Sequence, residues 1–191
     1  MPHDLPDLPG AADHLELCLR LAEEALGDGD GAFGSVLVDA SGAVLRTGRN
    51  REVTGSDPTA HPELELAQWA AAHVPEEGRA GCVVYTSGEH CPMCAAGHAW
   101  VGLGPIVYAA SSAQLSQWRA GWGLPASPVA ALPITDVAEV AEAVEDACVG
   151  EDGVPHRAVS VIAPGNAGAA RGCGRRTATR VRGRARPGRR R

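Results

Sequence analysis

The chain predicts a mixed α/β sheet covered by helices on both faces. Three observations carry that expectation. Apolar residues recur at helical spacing over 11–26, two strand-like segments flank a turn at Ala40-Ser41-Gly42, and helical and strand patterns alternate from Thr86 onward. At 191 residues the simplest division is one domain over 10–163, large enough to bury a real core, with a tail over 164–191.

The elements follow in order. Leu15, Leu17, Cys18, Leu21, Ala22, Ala25 and Leu26 line one face of a first helix, which Gly27-Asp28-Gly29-Asp30-Gly31 ends. Segments 33–39 and 43–49 read as a β-hairpin. Asp57-Pro58-Thr59-Ala60-His61-Pro62-Glu63 reads as a turn feeding a helix that begins close to His61, because Pro62 lacks only an N–H that a first helical turn leaves unused. Leu64, Leu66, Ala67, Trp69, Ala70 and Ala71 then give that helix an apolar face. Cys82-Val83-Val84-Tyr85-Thr86 is a short apolar strand, Ser87-Gly88-Glu89-His90 a turn, and Cys91 opens another helix. Within the turn, Glu89 reads as an acceptor for backbone N–H groups. Ile106-Val107-Tyr108-Ala109 is a further strand. Beyond it the pattern predicts a helical turn over 113–118, a short amphipathic helix over 137–147 and a small strand over 159–163. From 164 the chain is Gly, Ala and Arg without periodicity and is expected to be disordered.

The chemistry concentrates in two places. His61 with Glu63 two residues on, and Cys91-Pro92-Met93-Cys94, offer one imidazole, two thiols and one carboxyl. One histidine and two cysteines fill three of the four positions of tetrahedral zinc, and a catalytic zinc keeps its fourth position for water. No further Cys or His stands at ligand spacing beside them. Both ligand sets fall at predicted helix N-termini, whose partial positive charge favours thiolate and hydroxide. Histidine, then a carboxylate two residues later, then C-x-x-C is the zinc-deaminase order, in which the glutamate moves protons and does not bind metal. Zn2+ is the expected cofactor, with His61, Cys91 and Cys94 as its ligands and Glu63 as the catalytic group.

On these residues, together with Phe33-Gly34, Asn50 and Val107-Tyr108-Ala109-Ala110, the chain resembles the cytidine deaminase-like superfamily from about residue 32 to residue 112. Bacterial guanine deaminases and tRNA wobble adenosine deaminases look most similar. The resemblance implies a three-layer α/β/α fold and a nucleobase or nucleoside deaminase, with a guanine-like purine first. It also implies that Asn50 hydrogen-bonds the substrate, that the Ala60 backbone touches the base, that Phe33 packs near the ring, and that subunits pair as a homodimer. Trp118 and Trp122 suit either such an interface or a cap on the monomer core. His90 stands where relatives carry proline. It either closes the turn or lines the pocket mouth and contributes to substrate choice. Guanine-specific relatives place a carboxylate soon after the Val107 strand. Here 111–117 is neutral. Either an amide there bonds a different edge, as of another purine, a pyrimidine or a triazine-like amine, or Glu139, Glu142 or Glu145 supplies the charge by folding back. The alternative for these glutamates is a solvated helix face.

Composition narrows the class. No run of about 18 apolar residues occurs, so no membrane span is expected. The acidic, Pro-rich start is unlike a secretory signal, and six scattered cysteines imply no disulfide framework, so a reducing cytoplasm fits. The chain has no lysine. Ten of its 17 basic residues are arginines within 171–191, with no acid among them, while all 23 acids precede that segment. An acidic body argues against a nucleic-acid groove on it. The alternatives to a small-molecule deaminase are a tRNA-specific adenosine deaminase and a non-catalytic zinc- or RNA-binding protein.

Overall fold

The computed structural model describes residues 10–138, 143–149 and 175–180, the last two segments through their backbone. Six strands form one mixed sheet in the order β2-β1-β3-β4-β5-β6. Strands β1 (Gly34–Val38) and β2 (Val44–Arg49) make the expected hairpin. Its turn is closed by Asp39, whose Oδ1 accepts from the Ser41 and Ala43 N–H groups at 2.8 and 3.0 Å. The other side of β1 pairs antiparallel with β3 (Val83–Thr86), and β3 runs parallel to β4 (Ile106–Tyr108).

Alternation along these strands builds the layers. Val36, Val38, Val83, Tyr85 and Val107 point to one face, where α1 (Ala11–Gly27) packs through Leu15, Cys18 and Leu19. Leu115 and Trp118 of α5 (Ser112–Gly121) complete that layer. Leu37 and Val84 point to the opposite face and meet Leu66, Ala67 and Ala70 of α2 (Pro62–His73). Ile106 and Tyr108 continue this second face against Ala95 of α4 (Pro92–Val101) and Ile134 of α6 (Ile134–Val137). A single turn, α3 (Glu76–Arg79), links α2 to β3. The result is the three-layer α/β/α arrangement.

Two close approaches set the site. A Cβ on Gly34 would stand 2.4 Å from the Cys18 carbonyl oxygen and 2.8 Å from the Ala22 nitrogen, so α1 rests directly on the β1 backbone. A Cβ on Gly97 would meet Leu64 Cδ1 at 2.9 Å. That missing methyl lets α2 and α4 lie close enough to bring their N-termini together.

The far edge departs from the sequence reading. Residues 143–149, expected within a helix over 137–147, form β5 (Ala143–Val149), parallel to β4, and only Ile134–Val137 is helical. The Ala/Val/Glu mixture satisfies either period, and the open edge of β4 decides in favour of a strand. Strand β6 (Arg175–Arg180) pairs antiparallel with β5, inside the stretch expected to lack structure. The strand expected at 159–163, together with Glu139 and Glu142, lies outside the described residues. Glu145 stands in β5 opposite Tyr108.

Candidate metal centre and active site

His61 is the N-cap of α2 with Pro62 at its first position, and Cys91 is the N-cap of α4 followed by Pro92. Two equivalent helix starts therefore face each other. Proline fixes φ at the first position of each, which gives both ligand-bearing turns the same stiff entry. Cys94 follows one turn along α4, and Glu63 sits just inside α2.

The three candidate ligands converge. His61 Nδ1 lies 3.6 Å from each of the Cys91 and Cys94 sulfurs, and the sulfurs are 3.5 Å apart. Tetrahedral zinc with bonds of about 2.3 Å to sulfur and about 2.0 Å to nitrogen needs S–S and S–N edges of roughly 3.8 and 3.5 Å. The donors fit that ion without rearrangement. Among the described residues this is the group of His, Cys, Asp and Glu side chains with ligand atoms close enough to share a cation.

Ionisation follows from the same contacts. The Cys91 thiol is lowered to about 4, first by its contact with Cys94 and, against the cost of burial, by His61. Cys94 is pushed up by Cys91 and by burial, so the pair gives up one proton readily and holds the other. His61 is raised to about 9, chiefly by the Cys91 sulfur. A ready thiolate is what a soft divalent metal requires.

Glu63 is buried beside this cluster. Its Oε1 accepts from the Thr86 hydroxyl at 3.0 Å, and the Ser35 hydroxyl donates to Thr86 at 2.9 Å. Its Oε2 receives the Cys94 thiol at 3.7 Å. Burial pushes the Glu63 carboxyl up from its ordinary value, the direction that suits a group that takes and returns a proton.

A cavity of about 340 Å³ opens over these groups. Phe33, Glu52, His61, Glu63, Glu89 and Cys91 form its inner wall. Leu115, Ser116 and Arg119 of α5, with the segment 127–131, close the outer side. Glu89 ties the two together, accepting from Ser112 N at 2.7 Å and from Ile134 N at 2.8 Å. This is the backbone-acceptor role its turn position implied.

The expected substrate contacts divide. Phe33 lines the cavity and lies against Gly88. Ala60 and Asn50 are not among the lining residues. The Ala60 carbonyl accepts from Arg51 N at 3.1 Å. Asn50 is 1 % exposed, and both ends of its amide are bonded to Glu52. His90 is fully buried and sits edge-on to His98, with ring centroids 5.4 Å apart. It packs beneath the Cys91 turn, not at the pocket mouth, and burial lowers its pKa well below the usual imidazole value. Trp118 is half-buried against the core on α5, and its ring centroid lies 6.4 Å from that of the half-buried Trp122.

Three residues of the site were not anticipated. Thr86 and Ser35 carry no signal beyond being hydroxyls in apolar strands. Glu52 is an acid in a polar loop and resembles any surface residue until the fold places it beside His61.

Residues 11–110 match the family described as "Cytidine and deoxycytidylate deaminase zinc-binding region", just over half of the chain. The chain belongs to that family. It is 36 % identical over 97 residues to guanine deaminase of Bacillus subtilis, a match spanning 50 % of this chain and 62 % of that protein. It is 30 % identical over 97 residues to the tRNA-specific adenosine deaminase of Haemophilus influenzae, spanning 51 % and 56 %. The chain thus covers about three-fifths of these curated relatives. Among solved structures, NE0047 in complex with 2,6-diaminopurine aligns with a TM-score of 0.57 at 18 % identity, over 80 % of this chain and 79 % of that one, a likeness of fold. No helix among the described residues of this family member is long and apolar enough to cross a membrane.

Proposed function

We propose that this chain is a zinc-dependent hydrolytic deaminase acting on a free nucleobase or nucleoside, with a guanine-like purine as the first candidate. The observation that carries this is the buried Glu63 carboxyl set against a His61–Cys91–Cys94 cluster with the spacing of a tetrahedral metal. The similarity to a guanine deaminase supports the choice of base. A cavity of about 340 Å³, roofed by 127–131, is of the size that encloses a small molecule.

His61, Cys91 and Cys94 would hold zinc, which when bound lowers the pKa of a coordinated water to about 7. Glu63 takes a proton from the attacking water on Oε2, because Thr86 fixes the other oxygen. A C–O bond forms at the amine-bearing ring carbon, and Glu63 passes the proton to the adjacent ring nitrogen. The proton left on the added oxygen travels through Glu63 to the amine, the C–N bond breaks, and ammonia leaves as the carbonyl forms. One carboxyl acts as base and then acid. Phe33 offers the ring an apolar wall.

The test is ammonia release by the zinc-loaded full chain from guanine, adenine, cytosine, their nucleosides and ammeline. Fastest turnover is expected on guanine. Bound zinc with no ammonia from any of them would leave a non-catalytic zinc protein. The match to a tRNA-specific adenosine deaminase favours a second reading, in which the substrate is a tRNA adenosine. A tRNA gel shift, lost with activity on deleting 165–191, would establish that reading over the first. The chain is also inferred to act as a homodimer in the reducing cytoplasm.

A further inference from the structure

The loop between β2 and α2 is held from two sides. Asp30 Oδ1 accepts from Val53 N and Thr54 N at 2.7 and 2.9 Å, and its Oδ2 accepts from the Thr54 hydroxyl at 2.6 Å. Asn50 clasps Glu52 inside the loop. Its Oδ1 accepts from Glu52 N at 3.0 Å and its Nδ2 donates to Glu52 Oε2 at 2.9 Å. Gly31 leaves room for the pair, since a Cβ there would stand 3.2 Å from Glu52 Oε2 and 3.3 Å from Asn50 Cγ. The remaining oxygen, Glu52 Oε1, meets His61 Nε2 at 3.1 Å.

His61 therefore has one ring nitrogen for each neighbour. Nε2 faces a carboxylate and Nδ1 faces the two sulfurs at 3.6 Å. A carboxylate can only accept, so Nε2 donates its hydrogen to Glu52, and Nδ1 is the nitrogen that faces the sulfurs and would meet the metal. We infer that Glu52, clasped by Asn50, is a positioning residue that fixes the tautomer and ring orientation of His61 for metal binding. The Asn50 amide bears on His61 through Glu52, whose N–H and Oε2 it bonds. The inference rests on the zinc reading of the site. It adds an outer partner of the kind that orients metal-bound histidines.

The experiment compares the zinc-loaded full chain with Glu52→Ala, Glu52→Gln and Asn50→Ala. Zinc affinity from chelator competition is expected to fall about 10–100-fold in Glu52→Ala. It should fall less in Glu52→Gln, whose amide oxygen still accepts from Nε2–H, and should fall measurably in Asn50→Ala. In long-range 1H–15N spectra the wild-type His61 Nε2 proton should be shifted downfield and slow to exchange, and in Glu52→Ala it should exchange fast. Glu52 is partly exposed, and thermal melts of the zinc-free variants confirm that folding is kept. A Glu52→Ala chain with zinc affinity within about twofold of wild type and an unchanged Nε2 proton overturns the inference. In particular, a loss confined to KM would make Glu52 a substrate contact only. If the wild-type chain takes up no zinc, the reading of the site falls as well, and the two failures are distinguishable.

Discussion

The Thr86 hydroxyl donates to Glu63 Oε1 at 3.0 Å, at the end of a chain that begins with Ser35. This leaves a buried carboxyl with one fixed oxygen and one oxygen facing the metal cluster. Removing the donor in Thr86→Val should preserve zinc content and lower kcat by about tenfold or more, since a hydrogen bond to a charged group contributes about 1.5–3 kcal/mol. Steady-state kinetics beside elemental analysis decides it. An unchanged kcat would mean that Glu63 is positioned by its helix alone.

Glu63 and Cys91 separate chemistry from metal binding. Glu63→Gln should retain zinc and lose roughly 10²–10⁴-fold in turnover. Cys91→Ala should lose the metal itself. Zinc content by elemental analysis, with ammonia release, reads both, and a zinc-replete Glu63→Gln chain at near-normal rate would remove Glu63 from the mechanism.

Gly34→Ala tests the packing of α1. The added methyl meets backbone atoms of α1, which cannot rotate away as a side chain would. A loss of about 1–3 kcal/mol is expected by denaturant titration. An unchanged midpoint would show that α1 can lift from β1 without cost.

Asp30 predicts an acid-sensitive loop. Burial raises its carboxyl, but the Thr54 hydroxyl and the Thr54 and Val53 N–H groups outweigh burial and hold it below the ordinary value. The unfolded chain therefore binds a proton first as the pH falls below about 4, and the stability this group supplies is present above that range and lost beneath it. Hydrogen exchange at Val53 and Thr54 should quicken as the pH is lowered through this window, after correction for intrinsic rates. Asp30→Asn should show the faster exchange already at neutral pH, with the extra acid dependence gone. Equal protection in both chains would detach Asp30 from the loop.

Trp100 is 90 % exposed on α4, the helix that bears the cysteine ligands. If the homodimer forms through this helix, Trp100→Gln should weaken it at least about tenfold, as loss of an aromatic anchor does. Light scattering on the full chain and the variant reads the outcome, and a monomeric wild-type chain would end the dimer proposal.

The metal centre was legible because its order and spacing are local. Proline after each ligand predicts the two helix starts, and strand alternation predicts which faces are covered. What could not be read was whatever depends on neighbours distant in sequence. Glu52 meets His61 only because Asp30 and Asn50 fold the loop back. His90 turns inward where the pattern also allowed it to face the pocket, and β5 exists because β4 offers an edge. The helix α5 was legible only as a turn over 113–118; it runs from Ser112 to Gly121, started by a capping box of Ser111 and Gln114.

The family match ends at residue 110, and the outer side of the cavity begins at Ser112. The inner wall and the outer roof of the cavity are thus consecutive stretches of chain, not interleaved ones. Glu89 fastens that roof through main-chain N–H groups of Ser112 and Ile134, a grip indifferent to which side chains lie between them. The intervening segment can therefore be rewritten, by evolution or by grafting, to reshape the outer side of the cavity while Glu63 and the His61–Cys91–Cys94 cluster stay untouched.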